Sequence, residues 1–295
     1  MRNSITRRTF LATSTAAVCG TATFTPACLA DGDRKLPTLN FITVTDTHLG
    51  YKNQESATKR WQQAAGEIAG QPGDFVLHLG DVVDGGREER YPEYLEIRQA
   101  IKKPVYEIPG NHDPEPLFEK YLRKPVDMSF VKNGVRFLLL NNAHTDSHLG
   151  FLTKQQLAWL EAECKQAAKE DEFLILCLHV PVHSNKHPDR GWYVKPKNGQ
   201  TDFYAIMEKH ADRVLMLMHG HFHNGIRGWD DRGAMHEICF PSVLYNLNRK
   251  LESQNAPGYN LPEFRPGYTQ VSLKGSEITL AYKPLGEDVV QRKVI

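Results

Sequence analysis

The chain has 295 residues, 40% hydrophobic and 24% charged, an ordinary globular composition with enough length for a large core. A net charge of +1, from 36 basic and 35 acidic residues, excludes a strongly basic nucleic-acid binder. No segment is long and apolar enough to span a bilayer.

Residues 1–30 read as an export signal. Thr6-Arg7-Arg8-Thr9-Phe10-Leu11 resembles the twin-arginine consensus, and no charged residue follows from Thr9 to Ala30. Cys28-Leu29-Ala30 offers a small-residue cleavage site. Cleavage there leaves residues 31–295 with 33 basic and 35 acidic residues, a net charge of −2. A periplasmic or extracellular location is the expectation. A lipid anchor at Cys28 ranks second, because Thr25-Pro26-Ala27 makes a poor lipobox.

Strand and helix patterns then alternate. The apolar run Leu39 to Val44 ends at Asp46-Thr47-His48, and Trp61, Ala64, Ala65 and Ile68 recur at helical spacing. Phe75 to Leu79 ends at Gly80-Asp81-Val82-Val83-Asp84, and Val105 to Ile108 leads to Gly110-Asn111-His112-Asp113. Met128 to Val131 and Val135 to Leu140 flank Lys132-Asn133-Gly134, a hairpin signal. Thr153 and Gln156 form a capping box that opens a helix with the stripe Leu157, Leu160 and Cys164. Trp159 lies off that stripe and covers its edge. Phe173 to Leu178 precedes His179, and Val214 to Met218 precedes Gly220-His221-Phe222-His223.

The last third changes character. Short β-like runs at Ala234 to Phe240, Tyr268 to Leu273, Glu277 to Tyr282 and Val289 to Val294 predict an antiparallel portion of sheet. Ser184 to Thr201 and Tyr245 to Gly267 read as long irregular segments. Beyond the signal, Cys164, Cys177 and Cys239 are an odd set without metal-ligand spacing; Cys164 and Cys177 read as buried small hydrophobes.

Taken singly, the five polar blocks are ordinary: a lone His in an apolar run is usually a core residue, and Gly-Asp after a strand is often a turn. Their joint occurrence, in order and each after a strand, carries the inference, because α/β sheets place their chemistry at the carboxyl ends of strands. Oxygen and imidazole donors suit Zn, Mn or Fe rather than a thiolate-type site.

In these blocks, over about residues 39–240, the chain resembles the calcineurin-like metallophosphoesterases. The resemblance implies an α/β, α+β-like sandwich of two mixed β-sheets packed face to face and flanked by helices, four layers αββα, in one domain spanning 31–295. It implies two divalent or trivalent metal ions. One would take Asp46, His48, Asp81 and His223; the other Asp81, Asn111, His179 and His221, with Asp81 bridging. Such ions, about 4 Å apart, clamp the oxygens of an in-line displacement and supply a bridging hydroxide as nucleophile. His112 would act as general acid or charge stabiliser. Asp113 would hold the other ring nitrogen of His112, and Asp84 would orient loop or ligand groups.

Departures from subfamilies narrow the substrate. Gly85-Gly86-Arg87 after Asp84, and Asp113 where protein phosphatases carry Glu, weaken a phosphoprotein reading. Asp84, where purple acid phosphatases carry tyrosine, argues against an iron–tyrosinate. The pattern looks more like the cyclic-nucleotide phosphodiesterase and nucleoside-diphosphate hydrolase branches. The expectation is hydrolysis of a small phosphoester, diester ahead of monoester, with no nucleic-acid partner. A non-catalytic scaffold of the same fold and a metal-dependent nuclease are the alternatives.

In the segment after His179, Arg190, Trp192, Tyr193, Lys195 and Lys197 suit contacts with a phosphate and a ring. Tyr245, Asn246, Asn248 and Arg249 are further candidates. His78 reads as a residue of the core or behind the ligands, His183 as a loop residue, and His144, His148, His187, His210 and His236 lack motif context.

Overall fold

The computed structural model describes residues 35–53, 55–184, 191–229, 235–247, 261, 263–288 and 290–295. The expectations for residues 1–30 and for His187, Arg190, Asn248, Arg249 and Val289 lie outside them.

Two six-stranded mixed sheets form the centre of the described residues. In the first, β1 (Leu36–Val44), β2 (Val76–His78) and β3 (Val105–Glu107) run parallel. Strands β10 (Gly267–Gly275), β11 (Glu277–Pro284) and β12 (Gln291–Val294) extend the other edge of β1 antiparallel, as the last third of the sequence predicts. In the second sheet, β4 (Met128–Lys132) forms a hairpin with β5 (Val135–Leu139). Strands β5, β6 (Phe173–Cys177), β7 (Val214–His219) and β9 (His236–Cys239) run parallel, and β8 (Arg227–Trp229) pairs antiparallel with β9.

The sheets pack face to face through Phe41, Leu77, Phe137, Ile175, Val271 and Leu280. The outer face of the first sheet packs Ile42, Val44 and Val76 with Trp61, Ala65 and Ile68 of α1 (Glu55–Ala69) and Tyr91 and Tyr94 of α2 (Arg90–Arg98). The outer face of the second packs Leu138, Leu176 and Leu217 with Leu157, Leu160 and Cys164 of α4 (Lys154–Lys169) and Phe203 and Met207 of α5 (Gln200–Lys209). A short α3 (Glu115–Tyr121) follows the third polar block. This is the expected four-layer αββα sandwich. Strands covered on both faces read as unbroken apolar runs, which is why the sequence pattern found them.

Local signals acted as their chemistry requires. Asn133 and Gly134 both have positive φ (49° and 75°), matching the twist of a two-residue hairpin turn. Thr153 Oγ1 accepts from Gln156 N at 3.1 Å while Gln156 Oε1 accepts from Thr153 N at 3.0 Å, closing the capping box. Trp159 packs partly buried at the edge of the α4 cluster. The segment Ser184 to Thr201 is less irregular than expected: Pro196–Asn198 forms a 3-10 turn, and α5 begins at Gln200. No helix among the described residues is long and apolar enough to cross a membrane.

Candidate metal centre

All five polar blocks emerge at one end of the sandwich, three from the first sheet and two from the second. Asp46, His48, Asp81, His221 and His223 have φ of 55°, 44°, 54°, 73° and 51°, five of the nine described non-glycine residues with positive φ. Each such conformation costs about 1–3 kcal/mol, and strain of this kind concentrates at functional sites. The glycines before the ligands allow close approach: a Cβ on Gly80 (φ +95°) would sit 2.5 Å from His179 Nδ1.

The ring nitrogens facing away from the centre are all spoken for by acceptors. His179 Nδ1 lies 2.6 Å from Leu79 O, His223 Nδ1 2.9 Å from Tyr245 O and His221 Nε2 3.1 Å from His148 O. His48 Nδ1 lies 3.2 Å from Asp84 Oδ1. Carbonyls and carboxylates only accept, so each of these nitrogens donates, and the opposite nitrogen faces the centre, where it offers a lone pair once its proton is displaced.

Those nitrogens meet the carboxylates. Asp81 Oδ2 lies 3.4 Å from His48 Nε2 and 3.1 Å from His179 Nε2, so one oxygen stands between two groups of donors. Asp46 Oδ1 lies 3.1 Å from His223 Nε2. His48 Nε2 and His223 Nε2 approach to 3.1 Å, a contact that either a proton on one ring or a cation facing both nitrogens satisfies. Asn111 Oδ1 is buried with no hydrogen-bond partner among the described residues. Candidate ligand atoms within 4.8 Å of one another form three overlapping groups: Asp46, His48 and His223; Asp81, His179 and His221; and His48, Asp81 and His112. Hard donors, orphaned and convergent, suit metal ions.

The electrostatics point the same way. Burial opposes charge on Asp46 and Asp81, yet the neighbouring imidazoles hold both carboxyls well below the usual carboxylate range. Burial would lower His48 and His179, but the surrounding carboxylates, Asp81 foremost, raise them to about 10 and about 9. His221, buried and facing His179, is pushed well below its ordinary value. With no metal present, protons do the work of balancing the carboxylates.

The calcineurin-like phosphoesterase family model matches residues 39–225. The chain belongs to this family. Among characterised sequences, a 3',5'-cyclic-nucleotide phosphodiesterase from Nostoc sp. is 27% identical over 250 residues, 78% of this chain and 88% of that protein. A glycerophosphodiester phosphodiesterase from Enterobacter lignolyticus is 31% identical over 162 residues, 51% of this chain and 56% of that protein. Among solved structures, a dimetal phosphatase from Danio rerio superposes with a TM-score of 0.63 at 17% identity, over 86% of this chain and 98% of that one, a likeness of fold.

Within this phosphoesterase, one expectation needs correction. Asp113 does not hold His112. Its oxygens accept from Val82 N (2.9 Å), Val83 N (3.1 Å), Gly110 N (2.9 Å) and Tyr91 Oη (3.3 Å), stapling the second and third blocks together. Burial, with Asp81 nearby, raises its carboxyl to about 6. Asp84 takes the place expected of Asp113: its Oδ1 lies 3.2 Å from His112 Nδ1. Adjacent positions in a turn point opposite ways, and the sequence pattern does not say which carboxylate faces the ring.

The cleft over the centre has two connected parts. The inner one, about 220 Å³, is lined by His48, Asp81, Asn111, His221 and His223 of the ligand set and by Tyr51, His112, His148, Trp192, Tyr245 and Leu247. The outer one, about 760 Å³, extends past His112 toward Gly85, Gly86, Pro114 and Thr145 to Leu149. Sequence reasoning missed Tyr51 and His148. Tyr51 packs 5.6 Å from Tyr245, which stacks on His223 at 4.3 Å. His148 stacks on Trp192 at 4.2 Å. Neither belongs to a ligand motif, so no spacing could have flagged them. Of the cations expected near substrate, Lys195 instead lies over the Tyr193 ring at 3.5 Å. His78 is a core residue as expected, buried edge-on against the stacked rings of Trp61 and Tyr94, and burial lowers it to about 3.

Proposed function

We propose that this protein is a dinuclear-metal phosphodiesterase acting on a small phosphodiester, with two Zn, Mn or Fe ions held by Asp46, His48, Asp81 and His223 and by Asp81, Asn111, His179 and His221. The observation carrying this reading is the convergence of imidazole nitrogens from both sheets on Asp81 Oδ2. When bound, such a pair neutralises phosphate charge and activates water for in-line attack.

The chain's own residues supply the rest. Gly85 N donates to His112 Nδ1 at 3.1 Å, with Asp84 Oδ1 3.2 Å from the same nitrogen, which leaves Nε2 as the nitrogen that gives a proton to the departing oxygen. The His112 backbone N–H donates to Asp81 Oδ1 at 2.9 Å, tying the acid's position to the shared carboxylate. Tyr51, Tyr245 and Trp192 wall the cleft with apolar surface that excludes water and stacks on a ring.

Diester is favoured over monoester on charge. No Lys or Arg lines either part of the cleft among the described residues. A diester carries one negative charge, whereas a monoester carries close to two at neutral pH. The names of the Nostoc and Enterobacter relatives support the same preference.

The test is direct. Purified protein is assayed for metal content and for hydrolysis of bis-aryl phosphate, aryl monophosphate, cyclic nucleotides and nucleoside diphosphate esters. Bis-aryl phosphate should turn over faster than the monophosphate. No turnover with Zn2+, Mn2+ or Fe2+ supplied sinks the reading. Export directed by residues 1–30 is part of the proposal. It is checked by fractionating cells that express the chain and its Arg7→Lys, Arg8→Lys variant; only the parent should leave the cytoplasm.

A further inference from the structure

We propose that Glu237, a buried carboxylate of β9 outside the cleft, is a positioning residue that sets the affinity of the metal position at His179 and His221. The inference rests on the metal-centre reading above. It goes beyond the ligand set, because Glu237 touches no ligand side chain.

Glu237 is 3% exposed. Its Oε1 accepts from Val182 N at 3.0 Å and from His183 N at 2.8 Å, and pairs with His219 Nε2 at 2.8 Å. Its Oε2 accepts from the Tyr204 hydroxyl of α5 at 2.5 Å. These partners, His219 foremost, overcome burial and hold the carboxyl down at about 2. A buried carboxylate without such partners would cost several kcal/mol, so the network is an obligate unit rather than a loose contact.

Its connections are specific to two loops. Val182 and His183 lie on the segment that leaves His179. His219 immediately precedes Gly220-His221, and its Nδ1 lies 3.1 Å from the carbonyl oxygen of Leu178, the residue before His179. One carboxylate thus ties the ends of β6 and β7, which carry the two histidines that sit with Asp81 in one candidate group. Asp46 and His48 of the other group follow β1, while its His223, two residues past His221 after β7, has its ring held by the Tyr245 carbonyl; Glu237's hydrogen bonds reach neither β1 nor Tyr245. Outer partners that orient ligands are typically worth about 10–100-fold in metal affinity.

The experiment titrates metal-free protein with Mn2+ and in turn Zn2+, counting sites and affinities by free-ion electron paramagnetic resonance and by calorimetry. Glu237→Gln keeps an acceptor for the two backbone N–H groups but removes the charge facing His219. One of two sites should weaken about 10-fold or more, and the other, which shares only His223 with the β7 end, by clearly less. Glu237→Asp keeps the charge at shorter reach and should weaken the same site less. Tyr204→Phe, which removes one donor to Oε2 but keeps the carboxylate's bonds to both loops, should weaken the same site less than Glu237→Gln does. Equal affinities in wild type and Glu237→Gln overturn the proposal, as do two sites weakened alike. So does failure of both Glu237 variants to fold with metal supplied. A wild type that binds fewer than two ions overturns the metal-centre reading instead, which keeps the two failures apart.

Discussion

Asp84 places one carboxylate oxygen, Oδ1, 3.2 Å from His112 Nδ1. The same oxygen stands 3.2 Å from His48 Nδ1, so a single group aligns a candidate metal ligand and the candidate acid. The two imidazole rings meet edge to face at 4.6 Å. Burial opposes ionisation of Asp84, but hydrogen bonds with His112 and His48 keep its carboxyl below the ordinary value.

Asp84→Asn keeps the shape and removes the charge. Both rings lose their anionic partner, so turnover and metal occupancy should fall together, each by about 10–100-fold in kcat or affinity. Steady-state kinetics beside elemental analysis of the same preparation measures both. Full metal content with unchanged kcat would show that Asp84 orients neither ring.

His112→Ala should behave differently. His112 is half-exposed at the mouth of the cleft and joins the ligands only through the group containing His48 and Asp81. Its removal should leave metal content intact and lower kcat by about 10²–10⁴-fold, the usual contribution of a general acid. The loss should shrink for a substrate whose leaving group is acidic enough to depart unprotonated. Loss of metal in step with activity would make His112 a ligand instead.

Much of this site was legible because strand ends, motif order and donor type all carry information in one dimension. Asp46, His48, Asp81, Asn111, His179, His221 and His223 each follow an apolar strand, and the sandwich brings those strand ends together. Asp84 and Asp113 were not separable, because two carboxylates in tight turns differ only in the direction their side chains take. Tyr51 and His148 reach the cleft from loops whose path is set by tertiary packing: Asn142, for example, clamps Val180 through two hydrogen bonds and so fixes the course of the segment leading to His148. Strand β8, with three residues, is too short to leave a periodic pattern.

Asp113 offers a test of the corrected role. It is 3% exposed and accepts three backbone N–H groups and one hydroxyl. Asp113→Ala strands those donors, and an unsatisfied buried donor costs about 1–3 kcal/mol. Urea unfolding should show a stability loss of about 3 kcal/mol or more. A variant as stable as the parent but slow in turnover would return Asp113 to the orienting role first expected of it.

The metal-free protein should lose stability as pH rises above neutrality. His48 and His179 are raised to about 10 and about 9 in the fold by Asp81 and its neighbours, against about 6.5 in an unfolded chain. Folded protein therefore holds more protons than unfolded protein between these values. That stabilisation is fully present below about pH 6.5 and is lost as pH climbs through 9 and then 10. The depressed carboxyls of Asp46 and Asp81 are ionised in both states across this window and add no slope. His78 and His221, both lowered, are neutral in both states there. Each histidine contributes at most about 1.4 kcal/mol per pH unit. Calorimetry of chelator-treated protein should give a Tm that falls from pH 7 to pH 10. Saturating Zn2+ or Mn2+ should flatten the curve, because the metal displaces those protons and binds more tightly as pH rises. A metal-free Tm that rises over the same range would mean that the carboxylate cluster does not hold protons on these two rings.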